Sequence, residues 1–154
     1  MPLPGGFLLD TNVLVNLFRN NDLGKYLDIT YGLSGASNPF LLSIVTVGEL
    51  YALTMKFGWV TTKRTALDAM LRSFTWVDIN DQQVLDAYGE IDAWSEINGK
   101  KMGKNDVWIA ATARATNTTV LSSDTDFDHL HAVHPSRTWR VDREWVDPTS
   151  KLKP

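Results

Sequence analysis

Four acidic residues of this chain fall at positions suited to chemistry. Asp10 closes the apolar run FLLD, and Glu49 sits in the first helical turn after the run FLLSIV. Asp106 opens the helix-type segment DVWIAATA, and Asp124 comes directly after TTVLSS. If the apolar runs are strands of one parallel sheet, strand C-termini and helix N-termini share an edge, and that edge is where such folds bind ligands. Acids distant in sequence would then meet in one crevice. Two unscreened carboxylates about 5 Å apart repel by roughly 3 kcal/mol at an effective dielectric near 20. A helix N-terminus returns only about 0.3–1 kcal/mol per acid. A converged set therefore calls for divalent cations, and ligands made only of oxygen select Mg²⁺ or Mn²⁺ over zinc.

Each acid also has an ordinary structural explanation. Thr46-Val47-Gly48-Glu49 matches a capping box with Glu49 at its third position, and Asp106 and Asp124 suit the first turns of helices. Asp10 resists this reading most, because a carboxylate abutting a buried strand needs a partner. The set says more than its members, provided that folding brings them together.

The elements that would do so are legible as alternating periods. Phe7 to Leu9 reads as a strand, and Val13, Leu14, Leu17 and Phe18 mark the helix after it. A short helix carries Leu23, Tyr26 and Leu27 and ends at Gly32 to Gly35. Phe40 to Val45 reads as a strand, followed by a helix with Leu50, Tyr51, Leu53 and Phe57. A helix from Thr61 or Thr62 should bury Ala66, Leu67, Met70 and Leu71, and Trp76 to Ile79 reads as a strand. Asp81 caps a long helix with Val84, Leu85, Tyr88, Ile91 and Trp94. The remaining elements are a helix Val107 to Ala115, a strand Thr119 to Ser122, a short helix Asp126 to Leu130 and a strand Thr138 to Val141. Strand alternating with helix implies an α/β fold with a mainly parallel central sheet covered on both faces.

At 154 residues, 44% apolar and 21% charged, the chain has the size and composition of one globular domain, expected to span 1–147 with a flexible tail over 148–154. No run approaches the roughly 18 apolar residues of a membrane span, and no secretory signal opens the chain, so the expected location is cytoplasmic. The absence of Cys excludes disulfides, thiolate metal sites and a cysteine nucleophile. A net charge of −3 argues against a protein that coats nucleic acid electrostatically. With the four acids set aside, 14 acidic residues face 15 basic ones, so binding to nucleic acid would need a local basic patch.

At these same residues the sequence resembles the PIN-domain ribonucleases of the VapC toxin type. LLDTNVLV, SIVTVGELYAL, GKNDVWIAATA and VLSSDTDFDHL carry the resemblance, in that family's order and spacing, over nearly the whole chain. It implies a PIN-like fold, metal-dependent endoribonuclease activity, a homodimer and a cognate antitoxin whose segment occludes the acidic crevice. Asp10, Glu49 and Asp106 match the family's first three acids and Asp124 its fourth, with Asp126 as a further candidate ligand. Thr11 and Asn12 follow the first acid as in the family motif, and Thr46 and Ser123 take small hydroxyl positions near the second and fourth acids. The chemistry implied is hydrolysis of an RNA phosphodiester by a cation-activated water, leaving 3′-hydroxyl and 5′-phosphate ends. Lys100, Lys101 and Lys104, in the loop before Asp106, are candidate backbone contacts.

Other features are read as structural. His129, His131 and His134 are taken as surface histidines, and Trp108 as a packing residue. A haloacid-dehalogenase-like phosphatase would need an Asp where Asn12 stands. An EF-hand loop in the DTDFD run lacks its glycine and has Pro135 in place of the closing Glu. A PIN fold kept as a binding scaffold without catalysis is the remaining alternative.

Overall fold

The innermost strand is β1, Phe7–Leu9, whose three residues are all buried. The computed structural model describes residues 6–35, 40–132 and 139–141. β1 pairs in parallel with β2 (Leu41–Ser43) on one side and β4 (Thr119–Ser122) on the other. β3 (Thr75–Val77) and β5 (Trp139–Val141) extend the sheet outward, giving the order β3-β2-β1-β4-β5 with every pairing parallel. Alternation along β1 sends Phe7 and Leu9 into one core and Leu8 into the other, as a sheet buried on both faces requires.

The first core lies under α1 (Thr11–Arg19), α2 (Asp22–Tyr31), α3 (Ile44–Lys56) and α4 (Thr61–Arg72). The second lies under α5 (Gln82–Ile97), α6 (Lys104–Thr116) and a 3₁₀ turn at Asp128–Ala132. Asn20 ends α1 in the left-handed region at φ 52°. The chain turns back there so closely that a Cβ on Gly24 would stand 2.0 Å from the Asn16 carbonyl oxygen. Glycine at that position lets α2 lie against α1 and fixes the helix that follows Asp10.

The expected α/β architecture is present, with shifted boundaries. The run read as a strand from Phe40 to Val45 divides: Ser43 is the N-cap of α3, its hydroxyl accepting from the Val45 amide at 3.1 Å, and the helix begins at Ile44. Glu49 is therefore in the second turn of α3, and the expected capping box between Thr46 and Glu49 is not formed. α6 starts three residues earlier than read, so Lys104 is helical rather than part of the loop. β3 is Thr75–Val77 in place of Trp76 to Ile79, and the short helix expected at Asp126 is the 3₁₀ turn from Asp128. Ala66, expected to be buried, is exposed, as is Leu85, because their helices bury a narrower stripe than the apolar residues they carry. Residues 148–154 and His134 lie outside the described residues. Among the described residues no helix is long and apolar enough to cross a membrane.

Candidate active site

The crevice between the ends of β1 and β4 is where the sheet order reverses, since the chain runs from β1 to β2 and β3 on one side before returning to β4 on the other. Ligands bind at such switch points in open α/β sheets. A cavity of about 310 Å³ opens there, lined by Asp10, Glu49, Asp106 and Asp124 together with Asn12, Asn16 and Arg19. Four acids from four separate segments share this one crevice.

Asp10 is only 4% exposed. Its amide extends the ladder to the Leu121 carbonyl at 3.0 Å, and its carboxylate caps α1 by accepting from the Thr11 amide at 2.8 Å. The Ser122 hydroxyl, fully buried at the end of β4, donates to its other oxygen at 2.8 Å. Ser122 Oγ also stands 3.2 Å from Asp124 Oδ1, so its single proton goes to Asp10, the nearer acceptor. Burial raises the Asp10 carboxyl from 3.8 to about 6, against the lowering effect of these two hydrogen bonds; Asp124 and Glu49 add to the rise by repulsion.

Asp106, in the first turn of α6, is pushed from 3.8 to about 7, first by desolvation and then by Asp10, Asp126, Asp124 and Glu49. The Thr11 hydroxyl donates to Glu49 Oε1 at 2.7 Å, with Thr46 Oγ1 3.4 Å from that hydroxyl. Asn12 Nδ2 donates to Asp124 Oδ2 at 2.7 Å while Asn12 Oδ1 accepts from the Ser123 amide at 3.3 Å. Thr11 and Asn12 thus each tie the end of β1 to a different acid. Asp126 is exposed at the rim; its amide donates to Asp124 Oδ1 at 3.0 Å, and desolvation and then Asp124 raise its carboxyl.

An all-oxygen set of carboxylates, Asp10 buried and Glu49, Asp106 and Asp124 half-buried, suits a hard divalent cation. Among the described residues no three acidic or histidine side chains already stand as a finished ligand shell. The four acids share the lining of the crevice without forming such a shell.

Sequence reasoning missed three residues. Ser122 is the hydroxyl that holds Asp10, whereas Ser123, one position on, contributes its backbone; β-strand alternation could have separated them. Asn16 and Arg19 repeat the face of Asn12 at helical spacing, which was readable from the sequence. Lys100, Lys101 and Lys104 do not line the crevice; Lys104 pairs with Asp92 at 3.0 Å. His129 is half-buried, hydrogen-bonded to Ser95 at 3.2 Å and stacked on Trp94, so it is a packing residue rather than a surface one. Trp108 packs on Tyr88 with ring centroids 4.1 Å apart.

Comparison with known proteins agrees with this geometry. The PIN domain profile matches residues 7–132. The Ribonuclease VapC2 of Haemophilus influenzae is 25% identical over 118 residues, covering 77% of this chain and 86% of that protein. Among solved structures, FitAcB from Neisseria gonorrhoeae is 26% identical with a TM-score of 0.65, covering 87% of this chain and 96% of its own. VapBC2 from Rickettsia felis, bound to a DNA fragment from its promoter, shares the fold at a TM-score of 0.71 and 23% identity, over 88% of this chain and 97% of that one. With the profile spanning more than half of its length and all five strands parallel around a crevice of acids, the chain belongs to the PIN domain family.

Proposed function

We propose that this protein is a Mg²⁺-dependent endoribonuclease, with Mn²⁺ as an effective substitute, and the toxin of a VapBC-type pair. The observation that carries the reading is the shared crevice of Asp10, Glu49, Asp106 and Asp124 at the switch point of the sheet. These four carboxylates would hold one or two cations, with Asp126 at the rim. A bound cation would supply a water of lowered pKa and neutralise charge building on the phosphate.

The chain's own groups do the positioning. Ser122 and the Thr11 amide fix both oxygens of Asp10, and Asn12 holds one oxygen of Asp124. The Thr11 hydroxyl engages Glu49 Oε1 and leaves Oε2 to accept the proton of the attacking water. Arg19, the exposed last residue of α1, lines the crevice and can take a phosphate oxygen.

The partner expectation draws on relatives: one solved neighbour, from Mycobacterium tuberculosis, is described as a member of the VapBC family of toxin-antitoxin systems. An antitoxin, a homodimer and a cytoplasmic location belong to this proposal. Purified protein should cleave structured RNA only with a divalent cation, and Asp10→Ala should not cleave. Cleavage that survives chelation, or that persists in Asp10→Ala, refutes the assignment. Inactivity towards every RNA class, with the fold intact, would instead favour a partner-binding scaffold.

A further inference from the structure

A second cavity, of about 450 Å³, opens off the acidic crevice and shares Thr11 and Glu49 with it. Its remaining lining is Val45, Gly48, Ala52, Leu53 and Lys56 from α3, and Asn105 from α6. Residues 45, 48, 49, 52 and 56 lie on one helical face, so the cleft runs along α3 away from the carboxylates. From Glu49 to Lys56 the helix rises by about 10.5 Å.

Gly48 is the unexplained residue of this face. It lies inside α3, where glycine costs about 0.8–1 kcal/mol relative to alanine. Its backbone is not in the left-handed region, and a Cβ added there would meet nothing within 4 Å. Neither chain geometry nor packing asks for glycine, so its effect is to keep the floor of the cleft open beside Glu49. The walls on either side, Val45, Ala52 and Leu53, are apolar. Lys56 closes the far end, exposed and with no ion pair among the described residues. Asn105 brings a side-chain amide with no hydrogen bond among the described residues.

We infer that this cleft seats the nucleotide adjacent to the scissile phosphate. Its base and ribose lie on the apolar floor at Gly48, Asn105 pairs with a polar edge, and Lys56 takes the next phosphate. The inference rests on the nuclease reading and adds the substrate's path to it. An apolar floor ending in an unpaired cation complements a nucleotide, with its flat apolar face and anionic end.

The test is binding, measured by fluorescence anisotropy of a labelled single-stranded RNA with Ca²⁺ as the cation. Gly48→Leu, which fills the floor, should weaken binding by at least about tenfold, and Gly48→Ala by about two- to threefold. Both variants should retain the helical circular dichroism signal and a Mn²⁺-induced rise in Tm. Lys56→Gln should weaken binding about threefold at low salt and reduce the salt slope by about one. RNA affinity unchanged in Gly48→Leu overturns the subsite. So does loss of the Mn²⁺ response together with RNA binding, because the leucine would then be acting through the acids. Wild-type protein that binds no RNA overturns the nuclease reading, and this inference with it. A peptide that protects the cleft while RNA does not would assign it to a protein partner instead.

Discussion

Replacing Asp10 by Asn should make the cation-free protein more stable and abolish its activity. Asn preserves the shape and accepts the Thr11 amide through Oδ1. Its Nδ2 donates to Ser122 Oγ, whose proton then turns to Asp124 Oδ1, 3.2 Å away. What disappears is a buried charge. The Asp10 carboxyl lies at about 6 in the fold against 3.8 outside it, because desolvation and the neighbouring acids disfavour its ionised form. The folded value being the higher, the group's contribution is full below the unfolded value and is lost as pH rises through the folded one. The loss amounts to about 3 kcal/mol, of which about 2 kcal/mol develops between about pH 4.5 and about pH 8. Asn does not titrate, so Asp10→Asn should gain about 2 kcal/mol on wild type over that interval. In a chain of this size that is a relative Tm gain of about 4–8 °C. Thermal or urea unfolding followed by circular dichroism in chelator reads it directly. An Asn variant whose stability difference from wild type is the same at both pH values would refute the claim that Asp10 is a destabilising buried charge.

Added Mg²⁺ or Mn²⁺ should raise Tm more at about pH 8 than at about pH 5, since Asp10 and Asp106 must be ionised to bind and both titrate within that window; a pH-independent rise in differential scanning fluorimetry would contradict it. Ser122→Ala removes a buried donor to Asp10 and should cost about 1–2 kcal/mol in urea unfolding, with cleavage reduced about tenfold as the carboxyl rises further. Arg19→Ala should raise KM several-fold with kcat little changed, seen in steady-state cleavage across a salt series. Thr11→Val leaves the fold standing but frees Glu49, and should lower kcat rather than raise KM.

The parallel sheet was legible because it depends on period and order alone, whereas the meeting of the acids was an expectation conditional on that sheet. Phe7, Leu8 and Leu9 were readable as a doubly buried strand, and the four carboxylates as neighbours on one edge. Boundaries were less legible. The apolar run Phe40 to Val45 carries no sign that Ser43, a polar residue inside it, would take its hydroxyl to the Val45 amide and start the helix there. Local periodicity cannot weigh a cap against two more residues of strand. The difference between Ser122 and Ser123 turns on a single residue of register, which strand alternation from the buried Val120 could have resolved. Arg19 stands two helical turns from Asn12 on the same face, a placement that follows from helical period but that no motif marks. Lys104 was read as a loop residue facing the nucleic-acid backbone, but its partner Asp92 belongs to the preceding helix, a contact set only by how α5 and α6 cross.

The place of β1 between β2 and β4 also constrains the order in which the protein becomes competent. In synthesis Asp10 precedes the hydroxyl that steadies it by 112 residues, and Asp124 and its Asn12 donor are separated by the same interval. Until the fourth strand has been made and has docked, one edge of β1 stays unpaired and the crevice has a single wall. A nascent or truncated chain therefore carries its first carboxylate without the apparatus to use it. The crevice is thus assembled by the topology of the sheet only after β4 has been made and has paired with β1.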